Sequence, residues 1–132
     1  MLAIIATVFA ALAALLHGYI FVMESVQWTQ PKVYRRFGLA DAETAEITKG
    51  MAYNQGFYNL FLAIGAALGL VLFWIGDNAT AADVAGRTLV LFSLGSMGAA
   101  SLVLLSTGIR NLRPALTQGT LPIIGFVLFL FA

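Results

Sequence analysis

"LAIIATVFAALAALLHGYIFVMESVQW", residues 2–28, is the stretch that decides the fold. Up to Leu16 its sole polar side chain is Thr7. The run exceeds the roughly 20 apolar residues that cross a bilayer. Three further stretches meet the same test, at 51–75, 84–107 and 115–131. In hydrocarbon the backbone amides have no water to bond, so each stretch is expected to be a helix. The chain has 132 residues, 61% of them hydrophobic and 10% charged. That balance is too apolar for a soluble domain of this length. The expected fold is all-α: a four-helix transmembrane bundle forming a single integral-membrane domain over 1–132, with helices at about 2–28, 42–75, 84–110 and 114–131. The first stretch is longer than a signal-peptide core and has no basic residue before it, so it reads as a retained span.

Charge sets an expected orientation. Lys32, Arg35, Arg36 and Lys49 lie in the first loop and Arg110 and Arg113 in the third; only Arg87 lies near the second, beside Asp77 and Asp83. The positive-inside rule then puts loops one and three in the cytoplasm and both termini outside it. Trp28 and Trp74 suit interfacial belts at opposite membrane faces. A formal net charge of +1, with no basic face concentrated enough for nucleic acid, excludes a nucleic-acid partner. The absence of cysteine excludes disulfides, thiolate metal sites and thiol nucleophiles. "NAT" at 78–80 matches a glycosylation sequon but reads as a turn.

Loop one looks ordered. Pro31 can begin a short amphipathic helix that Gly38 ends, with Lys32, Arg35 and Arg36 beside Val33, Tyr34 and Phe37 along the membrane surface. Asp41 reads as the N-cap of the second long helix, with Glu43 in its first turn. Small residues recur at four-residue spacing: Ala6, Ala10, Ala14 and Gly18; Gly65 and Gly69; Gly95 and Ala99. Such ladders allow helix backbones to approach closely.

Polar residues gather at the opposite depth. His17, Glu24 and Gln27 end helix one; Asn54, Gln55, Tyr58 and Asn59 lie in the corresponding half of helix two; Ser106 and Thr107 end helix three; Thr117, Gln118 and Thr120 begin helix four. His17 and Glu24, seven residues apart, share a helix face about 10 Å apart along the axis. An ionisable group within a span costs roughly 2.5–3.5 kcal/mol at the centre and less near an end, so Glu24 is expected to face the bundle interior or a wet cavity. A lone His and Glu make too thin a ligand set for a metal, and no serine-elbow, P-loop, EF-hand or HExxH pattern occurs.

Several strings together resemble domain-of-unknown-function family 1304: "HGYIFVMESVQWTQP" at 17–31, "FGL" at 37–39, "MAYNQGFYNLFLAIG" at 51–65 and "QGTLP" at 118–122. The resemblance covers nearly the whole chain and implies a small bacterial four-helix inner-membrane protein. Its matching positions are His17, Glu24, Trp28, Asn54, Gln55, Gly56, Tyr58 and Asn59, with Gln118 in support.

The expected function is a cytoplasm-facing polar intramembrane pocket for a membrane lipid or other small lipophilic ligand. His17 and Glu24 are its candidate acid/base (catalytic) pair, and Trp28, Asn54, Gln55, Tyr58, Asn59 and Gln118 are its ligand-binding residues. Isomerase-like proton transfer would need no cofactor and no metal. The alternatives are a small proton-coupled transporter, compatible with a homo-oligomer, and a structural or partner subunit whose polar network is filled by its own hydrogen bonds.

Overall fold

Apolar runs broken by turn residues dictate the helix order. The computed structural model describes all 132 residues and is all-helical, with four helices long and apolar enough to cross a membrane. Helix α1 is Leu2–Phe21 and runs into one π-helical turn, Val22–Val26. A short α2, Pro31–Arg36, precedes α3, Ala42–Ile75; α4 is Ala81–Ser106; a 3₁₀ turn at Ile109–Asn111 leads into α5, Leu112–Phe129. The starts and stops have local causes. Pro31 occupies the first position of α2, where its fixed φ suits a helix and its missing N–H costs nothing. Gly38 ends the segment at φ 83°, a conformation that costs glycine little. Asp41 Oδ1 accepts the Thr44 amide at 2.8 Å and so caps α3. Thr80 caps α4 by accepting from the Asp83 amide at 3.4 Å, which starts the helix at Ala81, ahead of the apolar run. Gly108, at φ 145°, separates α4 from the last helix.

Helix α3 is longer than a bilayer core is thick. The helix has 34 residues. They rise about 51 Å, against about 30 Å of hydrocarbon. Glu43, Glu46 and Lys49 mark the projecting end. By the same rise, the excess is roughly 14 residues.

The chain packs as two compact units, Met1–Leu16 with Leu62–Ala132, and His17–Phe61. In the first, the core is Ala6, Ala10, Ala13, Ala66, Leu70, Val90, Leu94, Met97 and Phe129, with α4 packed along α5. Helices α3 and α4 meet at backbone distance. A Cβ built on Gly69 would lie 2.8 Å from the Val90 amide nitrogen and 2.9 Å from the Gly86 carbonyl oxygen, and one on Gly86 would strike the Phe73 backbone. One end of this unit is tied by polar bonds. Arg87 Nε donates to Asp83 Oδ1 at 2.9 Å, its Nη1 donates to the Ala132 carbonyl at 2.7 Å, and its guanidinium stacks 4.7 Å over Phe73. Trp74 Nε1 donates to Thr7 Oγ1 at 3.0 Å while its ring stays half exposed, as an interfacial tryptophan would.

In the second unit α2 is folded inward. Val33 and Tyr34 are buried, so its apolar side serves the protein and its cations face out. Trp28 differs from the expected belt position. It is buried, its Nε1 donates to the Ala45 carbonyl at 3.1 Å and to Thr48 Oγ1 at 3.2 Å, and its ring packs 4.9 Å from Phe37.

Candidate functional site

Glu24 sits in the middle of the π turn. The turn is closed by the Gln27 amide donating to the Val22 carbonyl at 3.0 Å, five residues back. A π turn inserts one residue into a helix and is often found at functional sites. Here it carries Met23 and Glu24 buried, with Ser25 partly so.

Asn59 of α3 meets the carboxyl group. Its Nδ2 donates to Glu24 Oε2 at 2.9 Å and to its own helix at the Gln55 carbonyl, 3.1 Å. One residue along, Ser25 Oγ donates to the Tyr53 carbonyl at 2.9 Å. Gly56 permits both bonds. A Cβ there would overlap Ser25 Oγ and come within 3.1 Å of Glu24 Cβ and of the Ser25 amide nitrogen. Phe21 packs edge-on against Phe57 at 5.1 Å, and Tyr53 lies 4.9 Å from the same ring. These tilted ring contacts, a geometry that aromatic quadrupoles favour, close an apolar flank. His17 is buried on α1, 2% exposed.

The expected site residues therefore divide. Glu24 and Asn59 are brought together, and Trp28 anchors the loop beyond them. Asn54, Gln55 and Tyr58 turn their side chains outward; Tyr58 is 61% exposed, and Gln55 contributes its backbone carbonyl alone. Gln118, on α5, belongs to the other compact unit and is half-buried. Sequence reasoning misses Ser25 and Thr48. Ser25 could be found from its place beside Glu24, at the level where Gly56 opens a gap in α3; nothing in the sequence marks Thr48.

Two apolar cavities of about 240 and 270 Å³ lie between α4 and α5. Ser101, Gly119 and Ile123 line the first, and Gly95, Gly98 and Phe126 the second; none of the expected site residues lines either. No three His, Asp or Glu side chains come together.

The site has a defined chemistry. Glu24 Oε2 is engaged by an amide whose other proton is already satisfied. An ionised Glu24 is acceptor-only, and a protonated one would add a donor. The π turn and the "NQGFYN" segment at 54–59 thus form one polar contact between two helices. A family model described as protein of unknown function (DUF1304) matches residues 11–130. The chain belongs to the DUF1304 family. The match includes every element of the site, from His17 to Asn59, and this DUF1304 chain lies outside it only at its first ten residues and its last two. No curated protein and no solved structure matches the chain.

Proposed function

We propose that this DUF1304 protein is a multi-pass protein of the bacterial inner membrane that holds a small lipophilic molecule by its polar head at Glu24. The observation that carries this reading is the bond from Asn59 to the buried Glu24, which sits in a π turn of a candidate membrane span. Ionisable groups inside spans are rare and costly, and by default mark a binding or proton-handling site. A carboxylate held by an amide on one oxygen favours a head group that donates a hydrogen bond or carries positive charge. His17 of α1 and Glu24 of the π turn that follows it supply the proton-exchanging groups. An isomerisation, in which a proton leaves one carbon and another is returned across a shifted double bond, needs no further acid or base. The basic residues of loops one and three support a cytoplasmic position for the site and an external one for both termini.

Glu24→Gln tests the reading. It keeps size and an acceptor for Asn59 while removing the charge and the titratable proton. Expected is an unchanged melting temperature in detergent, with loss of a lipophilic molecule that co-purifies with the wild type and is detected by mass spectrometry of extracts. An unchanged extract from Glu24→Gln and Glu24→Ala would discard a ligand at Glu24.

A second reading has its own support: the bonds of Asn59, Ser25 and Trp28 begin and end within the chain. On that reading the polar groups set the register of α1 against α3 and bind nothing. It predicts lower stability for Glu24→Ala and Asn59→Leu with identical extracts from all variants.

A further inference from the structure

We propose that the outward face of α2 binds the phosphate groups of anionic phospholipids. This inference stands apart from Glu24 and survives if no ligand binds there. Helix α2 carries three cations, Lys32, Arg35 and Arg36, all exposed, and no acid. The two ion pairs of the molecule are Lys49 with Glu46 and Arg87 with Asp83, so none of the three is neutralised by a carboxylate. Of the three acids that follow, Asp41 is committed to the Thr44 amide and Glu46 to Lys49, while Glu43, exposed in the first turn of α3, forms no ion pair with α2.

The cations are held, not trailing. Buried Val33 and Tyr34 pin the inner side of α2, and the Leu39 amide returns to the Tyr34 carbonyl at 3.0 Å. Lys32 and Arg36 are four residues apart and share a face, with Arg35 beside them at three-residue spacing from Lys32. Arg36 Nη1 donates to the Tyr19 hydroxyl at 3.3 Å and lies 3.6 Å from Met23 Sδ, which ties the basic face to the end of the first membrane span.

That position is the headgroup layer. Tyr19 is half exposed on the span that ends at Val26. An arginine on a helix beyond the span that reaches back to such a tyrosine lays its stem along the protein and keeps its remaining N–H donors free for lipid phosphates. Clustered Lys and Arg immediately beside a span attract anionic lipid, each adding about fivefold to affinity. A phosphodiester also suits the planar fork of a guanidinium, which can bond two oxygens at once. Neutral zwitterionic headgroups offer the same phosphate but compensate it with their own cation, so the surface selects on net charge.

The experiment is lipid binding to the full-length protein in detergent, read by native mass spectrometry. Phosphatidylglycerol and phosphatidylcholine of identical acyl chains are compared, with inorganic phosphate as competitor. Expected is preferential retention of phosphatidylglycerol by the wild type, reduced about 25-fold in K32Q/R35Q, whose substituted side chains make no hydrogen bond within the fold. The double variant should keep the wild-type melting temperature without lipid. If it loses its fold, K32Q and R35Q singly, each about fivefold weaker, carry the comparison. Equal retention of the two lipids by the wild type, or an undiminished preference in the variants, overturns the proposal. Displacement of the lipid by millimolar inorganic phosphate also overturns it, in favour of a site for a soluble anion.

Discussion

Asn59 and Gly56 show how much hangs on single side chains. Four polar residues, Asn54, Gln55, Tyr58 and Asn59, occupy one level of α3, yet Asn59 alone reaches Glu24. At about 100° per residue, Asn59 falls about 20° from Ala52 and about 60° from Gly56, whereas Asn54 is about 160° from Gly56. Ala45, Ala52 and Gly56 are buried, so the row of small residues defines the inner face and Asn59 stands at its edge. The burial of that row in the fold selects Asn59. The polar residues by themselves cannot, because they report depth and not direction. Asn59→Leu is expected to cost about 0.6–1.7 kcal/mol, the range of hydrogen bonds between membrane helices, measured as a lower melting temperature in detergent. The methyl group that Gly56→Ala adds would overlap Ser25 Oγ. Such overpacking should cost about 1–3 kcal/mol. Adding Ser25→Ala should restore part of that loss. A double variant no more stable than Gly56→Ala alone would show that the hydroxyl is not the obstacle.

At the scale of elements, helix ends and helix contacts are legible to different degrees. Pro31, Gly38 and Asp41 act locally, through a fixed φ, a left-handed conformation and a side-chain cap, so α2 and the start of α3 can be read directly. The π turn cannot, since no residue in Val22–Val26 demands it; Gly56 permits the close contact this turn makes with α3. Asp41 has a pH signature. The backbone amide of Thr44 holds its carboxyl below the usual carboxylate range, with the Thr44 side chain adding to the effect. A depressed carboxyl group stabilises the fold above its unfolded pKa of about 3.9, and this contribution is lost as pH falls through the lower folded value. Asp41→Asn, an equally good cap without a charge, is expected to flatten this acid limb of the melting-temperature profile while leaving the neutral value nearly unchanged. An identical acid limb in the variant would assign the loss of stability to other carboxyl groups. For helix contact, the side chain of Gly86→Leu would enter the facing backbone, and that of Gly69→Leu would meet the Val90 side chain and the facing backbone together. Both should therefore be severely destabilising. A wild-type melting temperature for both would remove the backbone contact between α3 and α4.

At the scale of the whole molecule, the distribution of charge makes the prediction. Six of the seven basic residues lie in or beside loops one and three. A reporter fused after Ala132 should therefore behave as periplasmic, and one inserted at Gly38 as cytoplasmic. The opposite pattern would put the Glu24 site and the basic face of α2 on the outer side. The sequence by itself determined the number of helices long and apolar enough to cross a membrane and their helical state, because transfer of apolar residues into lipid and satisfaction of backbone amides act on each segment separately. Only the tertiary structure decided that Glu24 meets Asn59, that Tyr58 faces outward, and that Trp28 turns into the protein to bond Ala45 and Thr48. Those outcomes depend on the rotation of each helix about its axis. Hydropathy along a chain is blind to that rotation, and close packing of small residues against a neighbouring helix sets it.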